Sequence, residues 1–402
     1  MLANIYFEFL DHINAAAVHY AILHDWESLR RGQISDIDMV VATHDFGRLE
    51  TSFREYYRIL NVFHYEASSF GFVLAPKDGD LSSAFVADVS TDYRWGGRIF
   101  FTDQELLRNR RLWHGYWVAG PAQEFAYLLV RKIYEKGSFP EHQRIRIREL
   151  AHDLETEAQV IISSLLGQKW AIWLLDRIAK EQWAPIEIHI SELRRCMRSQ
   201  ILKRDHLNSL RYWAAEIQRF WDRWRYPTGA SIAVLGPEGT WKRTLTQGLQ
   251  VSFPKVFRRV ALFEWSCGLS AKRLLAERAQ LRRSTLILLE CDSDDLFRHK
   301  HTRQRKQRRL TSLLVPVPDL VFIMDSEGLS LSQRRSHVFT ADVSHEWNPA
   351  MKTVETQLNV AFLDGRLPEE GIVQTACEIF ADFLNKRYSE RRQIWFSNQP
   401  VT

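Results

Sequence analysis

Two aspartates, Asp36 and Asp38, stand two residues apart in the run DIDMVVA, whose β-branched content and length predict a strand over 36–42. Alternation along a strand puts both carboxylates on one face. Carboxylates so placed repel one another unless a cation lies between them, and their hard oxygens suit Mg2+ or Mn2+. Asp88, in FVADVSTDYRW, ends another strand expected over 83–90 and is placed to close the set from beside it. Three such carboxylates would hold one or two metals, which bind the phosphates of a nucleotide and lower the pKa of an attacking hydroxyl.

A second pattern, Gly236-Pro237-Glu238-Gly239-Thr240-Trp241-Lys242-Arg243-Thr244, lies between a strand expected over 230–235 and a helix from Leu245 onward. That is the context of a phosphate-binding loop, G-x-x-x-x-G-K-[ST]. Gly236 and Lys242 are in place. Trp241 stands where the second glycine would let backbone N–H groups wrap the phosphates. Arg243 stands where a Ser or Thr hydroxyl would ligate magnesium, and Thr244 comes one position late.

These motifs need elements to carry them. Residues 1 to about 20 read as an amphipathic helix and 45–57 as another. Strands are expected over 58–63 and 70–75, a turn at Gly96-Gly97, and helices over 103–112 and 121–136. Residues 141–224 are almost wholly helical by pattern, with Trp170, Trp173, Trp183, Trp213, Trp221 and Trp224 expected to pack between helices or domains. Pro227-Thr228-Gly229 punctuates the chain. Beyond it, strands at 259–263, 285–290, 320–325 and 360–363 alternate with helices, the last over 369–387, which argues a parallel sheet.

Composition narrows the classes. With 402 residues, 45% hydrophobic and 26% charged, the chain can bury real cores, and disorder as its main state is excluded. No run approaches the length of a transmembrane helix, and Met1 to Leu10, with Glu8 and no basic flank, does not read as a signal peptide. The net charge of +5 is local: Arg298 to Arg309 hold seven Lys and Arg and no acid, so a dedicated nucleic-acid binder is not expected. That run reads as a solvated loop or an anion clamp. Cys196, Cys267, Cys291 and Cys377 are far apart with no CxxC pair, which argues against structural zinc and for a reduced, cytoplasmic setting.

The run YAILHDWESLRRGQISDIDMVVA resembles the nucleotidyltransferase superfamily, with its apolar strand, glycine turn, D-x-D strand and later third acid. VADVSTDYRWGGRIFF and PAQEFAYLLVRKIYEKG look like its continuation in bacterial proteins of polysaccharide-biosynthesis loci. The resemblance covers roughly residues 15–150. It implies Asp36, Asp38 and Asp88 as catalytic metal ligands, Mg2+ or Mn2+ as cofactor, and a nucleoside triphosphate as substrate. The family's glycine turn aligns with His24-Asp25, where side chains and an added negative charge alter the phosphate cradle.

PTGASIAVLGPEGTWKRTL resembles the opening of a thymidylate-kinase-like domain. LILLECDSDDLF, VPVPDLVFIMDSEGLSLSQRR and VAFLDGRLPEEGIVQTACEIFADFLNKR follow in that family's order over about 227–388. The resemblance implies a nucleotide site at Gly236, Gly239, Lys242, Thr244, Arg334 and Arg335. Glu290 and Cys291 replace the family's Asp-Arg, so its fold is expected and its phosphoryl transfer is not.

The reading is therefore an α/β protein: a nucleotidyltransferase-like mixed sheet over 1–140, a helical linker over 141–226, and a P-loop kinase-like parallel sheet over 227–402. The expected function is metal-dependent nucleotidyl transfer, with nucleotide as partner and a sugar or protein as acceptor. The alternatives are a scaffold with both sites inactive and a divergent nucleoside monophosphate kinase. Residues 141–226 are expected to bridge two separately folding units.

Overall fold

The computed structural model describes residues 2–30, 36–236, 241–253, 255–264, 279–292, 318–325, 359–364 and 366–396. Gly239, Arg334, Arg335, Cys267 and the basic run 298–309 lie outside the described residues. The chain is α/β, with a seven-stranded mixed sheet and a separate five-stranded parallel sheet.

The mixed sheet is built from β1 (Tyr20–Ile22), β2 (Asp36–Val41), β3 (Tyr57–Glu66), β4 (Ser69–Pro76), β5 (Phe85–Ser90), β8 (Arg111–Trp113) and β9 (Tyr116–Val118). Their order is β3-β4-β5-β2-β1-β9-β8. A two-stranded ribbon, β6 (Asp92–Trp95) with β7 (Arg98–Thr102), turns at Gly96-Gly97. Helices α1 (Leu2–Ala15) and α3 (Phe46–Tyr56) cover one face. The other is covered by α5 (Pro121–Val130) and the helices behind it: α6 (Glu141–Leu154), α7 (Thr156–Leu166), α8 (Gln168–Ala179), α9 (Trp183–Ile188) and α10 (Ile190–Arg204). Short helices α2 (Trp26–Arg30) and α4 (Asp103–Leu107) fill the connections, and α11 (Asn208–Arg225) leads to the second sheet.

That sheet has the order β11-β12-β10-β13-β14, all parallel, from β10 (Ala230–Gly236), β11 (Arg259–Glu264), β12 (Thr285–Asp292), β13 (Leu320–Asp325) and β14 (Asn359–Asp364). The chain lays two strands on one side of β10 and then two on the other. The connection reverses at the carboxyl end of β10, where open α/β sheets take ligands. Helices α12 (Lys242–Ser252) and α13 (Glu369–Trp395) pack together on one face.

The two sheets do not form separate cores, contrary to the expectation of independent units. Leu60, Phe63, Val73 and Ala75 of β3 and β4 are buried with Ile232, Leu249, Phe253, Phe322 and Phe380 in one cluster. Helix α13 runs beyond the expected end at 387, and its last turns carry Tyr388 and Trp395, with Phe396, into the core of the mixed sheet. Polar contacts follow the same seam. Asn61 Nδ2 donates to Val256 O (2.7 Å), Ile59 N to Asn385 Oδ1 (2.9 Å), and Tyr388 Oη to Glu50 Oε1 (3.0 Å). The charged stretch NKRYSERRQ hides this continuation in the sequence, because the aromatic residues that bury it are widely spaced.

A second expectation is also corrected. Trp183 is buried and Trp170 and Trp173 are half-buried, but Trp213, Trp221 and Trp224 of α11 are exposed. The face that α11 turns inward is polar. Asn208 Oδ1 accepts from Ile99 N (3.0 Å) while its Nδ2 donates to Ile99 O (2.8 Å), closing onto β7 like a strand partner. Glu216 Oε1 accepts from Ala67 N (2.8 Å), Tyr212 Oη donates to Glu66 Oε1 (3.3 Å), and Arg219 Nη1 donates to His64 O (2.9 Å).

Two predictions follow from this packing. Phe380→Ala should cost about 3–5 kcal/mol, and urea should unfold both sheets in one transition, with amides of β2 and β10 losing hydrogen-exchange protection together. Amides of β10 opening while β2 stays protected would restore the picture of separable units. The second concerns pH. Burial, and then the Glu216 charge, push the Glu66 carboxyl up to about 8. Above its unfolded value the unfolded chain ionises while the folded protein holds the proton. Stability from this group is therefore complete below about 4.5 and lost as pH rises to about 8. Glu66→Gln should gain on the wild type across that window by up to about 1.4 kcal/mol per pH unit, read by urea unfolding at each pH. A constant difference would contradict the shift.

Candidate functional site

Strands β2 and β5 run parallel, and Asp38 lies directly opposite Asp88. Ile37, Met39 and Val41 of β2, with Ala87 and Val89 of β5, are buried on the α1–α3 face. Alternation therefore places Asp38 and Asp88 on the other face together, as the D-x-D…D spacing predicts. Asp36 occupies the position two residues earlier on β2, opposite Val86. Gly71 of β4 is the cross-strand neighbour of Asp88. A Cβ at 71 would stand 2.6 Å from Tyr65 Oη and 2.9 Å from Asp88 Oδ1, so the glycine provides the room that Asp88 takes.

A protein cation sits on this face. Asp38 Oδ2 accepts from Arg131 Nη1 (2.8 Å) and lies 2.8 Å from His24 Nε2, and Arg131 also contacts the His24 ring. Arg131 begins a π-helical turn, Arg131–Lys136, that extends α5 and closes with Gly137 N donating to Lys132 O (2.8 Å). Such widened turns re-aim side chains and are frequent at functional sites. Tyr127, one turn earlier, stacks on His24 with ring centroids 5.7 Å apart. Glu135 lies 3.8 Å from Arg131 and 2.6 Å from Lys136, adding an acid on the outer side. Burial opposes ionisation of Asp38, but the His24 hydrogen bond and the Arg131 guanidinium outweigh it and hold the carboxyl well below the usual range. Lys132, buried beside Arg131, is lowered by burial and by that neighbouring charge.

The turn where the resemblance expects glycine keeps a glycine-like backbone. Asp25 has φ 60°, in the left-handed region that aspartate tolerates better than most residues. Its carbonyl accepts from Ser28 N (3.0 Å) as α2 begins. The preceding His24 is turned onto Asp38, so a side chain and not a bare backbone faces the carboxylates. Donor chemistry on this face fits a hard cation: Asp38 is ionised and Asp88 is its neighbour. Such an ion would share or displace Arg131.

At the second site Gly236 ends β10 and Lys242, buried, opens α12. Trp241 has φ −67° and is 45% exposed, so the strain that a bulky residue would bear at positive φ does not arise there. Arg243 is exposed. Thr244 lines a surface cleft with Gln247, Gly248, Glu369 and Val373, on the α13 side of its helix. The hydroxyl that finds an acid is Thr246, whose Oγ1 donates to Glu290 Oε1 (2.5 Å) on β12.

Sequence reasoning missed three participants: Arg131, the His24–Asp38 contact and a third cluster. Asp45 Oδ2 accepts from His19 N (3.0 Å) and lies 2.6 Å from His19 Nδ1 and 3.5 Å from His44 Nε2, while Arg48 Nη1 donates to its other oxygen (3.1 Å). Among the described residues these three could hold a metal ion. In the sequence only the adjacent His44-Asp45 hints at it, because His19, just before β1, meets them through the pairing of β1 with β2. Compared with protein-family models and with curated proteins, the chain matches none.

Arg131→Met would leave the Asp38 carboxylate without its cation. Both side chains are about one-fifth exposed, so the expected loss is about 2 kcal/mol, below that of a fully buried pair. Urea unfolding should show it, and adding Asp38→Asn should recover part. Unchanged stability in Arg131→Met would mean that the guanidinium does not neutralise this face.

Proposed function

We propose that the chain is a metal-dependent nucleotidyltransferase-like protein whose second, kinase-like sheet binds without catalysing. The observation that carries this reading is the placement of Asp38 directly beside Asp88 on one face of parallel strands, with Asp36 two residues before. Asp38 and Asp88, with Asp36, would hold Mg2+ or Mn2+, which supplies charge neutralisation at phosphate oxygens and a lowered pKa for an attacking hydroxyl. The chain's own residues do the rest. His24 and Arg131 keep Asp38 ionised and oriented, and Gly71 leaves room for Asp88. The transferred group is a nucleotidyl unit from a nucleoside triphosphate, and the acceptor a hydroxyl on a sugar or a protein, in keeping with the resemblance to proteins of surface-polysaccharide loci. For the second sheet, the strand order and the Gly236–Lys242 segment at the switch point support a P-loop, kinase-like fold. Arg243 in the magnesium-ligand position and Thr244 in the cleft on the α13 side of its helix support loss of phosphoryl transfer.

A second reading has its own observation. Arg131 already supplies a positive charge to Asp38, as expected of a site that has given up its metal and serves as a scaffold. One experiment separates them. The full chain, incubated with labelled nucleoside triphosphates, Mg2+ or Mn2+ and a mixture of acceptors, should release pyrophosphate. Asp38→Asn should lower that release by at least roughly a hundredfold with the fold intact, and Lys242→Ala should leave it unchanged. Release that survives Asp38→Asn but is lost in Lys242→Ala would move the activity to the second sheet. No release and no Mn2+ binding would favour the scaffold.

A further inference from the structure

Helix α11 is packed inside out. Viewed down its axis at 100° per residue, Phe220, Trp213, Trp224, Ile217, Leu210 and Trp221 fall in one continuous arc of about 100°. Every one of them is exposed, Leu210 at 67%, Ile217 at 66% and Trp221 at 65%. The opposite arc, Asn208, Tyr212, Glu216, Arg219 and Arg223, holds the helix to the protein through hydrogen bonds to β3, to Ala67 in the turn after it and to β7, Arg223 Nη1 donating to His64 O (3.3 Å). A soluble surface helix buries its apolar stripe and shows its polar face. Here the polar anchoring is specific, made of several directed hydrogen bonds to distant residues, so the outward direction of the stripe is built in. An exposed apolar patch of this length marks a contact with something else.

The charges around the stripe say what that is. Of the charged side chains between 203 and 225, the exposed ones are Lys203, Arg204, Arg211 and Arg225, all basic, with Arg204 paired to Glu105 (3.5 Å). The acids of the same stretch are held back: Asp205 pairs with Arg211 (3.0 Å), Glu216 is buried, and Asp222 is only half-exposed. Arg282 stacks over the Trp224 ring beside the end of the stripe. Two copies meeting along this face would bring basic flank against basic flank. An anionic lipid surface would meet both features, since tryptophan and arginine suit the headgroup boundary and the aliphatic residues its apolar side. Among the described residues no helix is long and apolar enough to cross a membrane, so the contact would be one that lies on the surface.

We propose that α11 is a membrane-surface docking helix, which seats Leu210, Trp213, Ile217, Phe220, Trp221 and Trp224 in the headgroup boundary of an anionic bilayer while its polar face stays bound to the protein. This does not depend on the activity proposed above. The test is flotation of the full chain with vesicles of phosphatidylcholine alone and of phosphatidylcholine mixed with phosphatidylglycerol. The wild type should float with the mixed vesicles, far less with phosphatidylcholine alone, and less as salt rises. The triple variant W213Q/W221Q/W224Q should lose roughly tenfold or more of that partitioning, with its circular dichroism and urea midpoint unchanged because the replaced side chains are exposed. Arg211→Gln with Arg225→Gln should weaken binding to the mixed vesicles alone. Failure of the folded wild type to float with the mixed vesicles would overturn the proposal, as would equal flotation by the triple variant. A dimer in sedimentation that the triple variant dissociates, with no vesicle binding, would overturn it in favour of a second copy of the chain.

Discussion

Asp38 is a partly buried carboxylate on β2, and the groups packed against it, His24 and Arg131, are those needed to keep it charged. Its strand partner Asp88 is a second acid, placed by register and admitted by the missing side chain at Gly71. Two carboxylates side by side in a partly buried place need positive charge close by. The chain provides it from α5, which carries on into a π-helical turn at Arg131, while His24, two residues past β1, bonds the same oxygen. The result is an Asp38 carboxyl that protein groups hold well below the usual range, before any ligand arrives. It is a setting in which a divalent ion would compete with a guanidinium for a carboxylate already poised to bind it.

The second sheet is not an appendage to this site. Helix α13 belongs to both halves, packing on α12 and β14 through Phe380 and ending beneath β3 and β4 through Trp395. A ligand at the end of β10 and a ligand at Asp38 would therefore act on one cooperative body. That shared packing is a reason for the second sheet to persist, since removing it would expose the apolar side of β3 and β4. Helix α11, which joins the two, uses its polar residues for this internal framework and leaves its apolar ones outside.

Much of the fold was legible in the residues. The strands at 36–41, 57–66, 69–76 and 85–90, and those of the parallel sheet, are rich in β-branched and aromatic residues between turn signals, and that pattern survives tertiary packing. The same-face placement of Asp38 and Asp88 was legible because strand alternation is strict. The short strands 111–113 and 116–118 were not, since three residues carry no period and the preceding helix pattern runs into them. Arg131 could not be assigned, because its meeting with Asp38 is a contact across 93 positions that depends on a π-helical turn. On composition alone the tryptophans of 141–226 read as packing residues. The outward direction of Trp213, Trp221 and Trp224 is set by Asn208, Tyr212 and Glu216, polar residues of α11 whose partners are far away in the sequence.

The central claim is that the face shared by Asp38 and Asp88 is a divalent-metal and nucleotide site with Arg131 as its resident counter-ion. Its most direct test is a crystal structure of the full chain grown with Mn2+ and a non-hydrolysable nucleoside triphosphate, with data collected for the anomalous signal of manganese. The account predicts an anomalous peak bonded to Asp38 and Asp88, the triphosphate on it, and Arg131 moved from the carboxylate to a phosphate. A map with no manganese at that face, and Arg131 still bonded to Asp38, would contradict it.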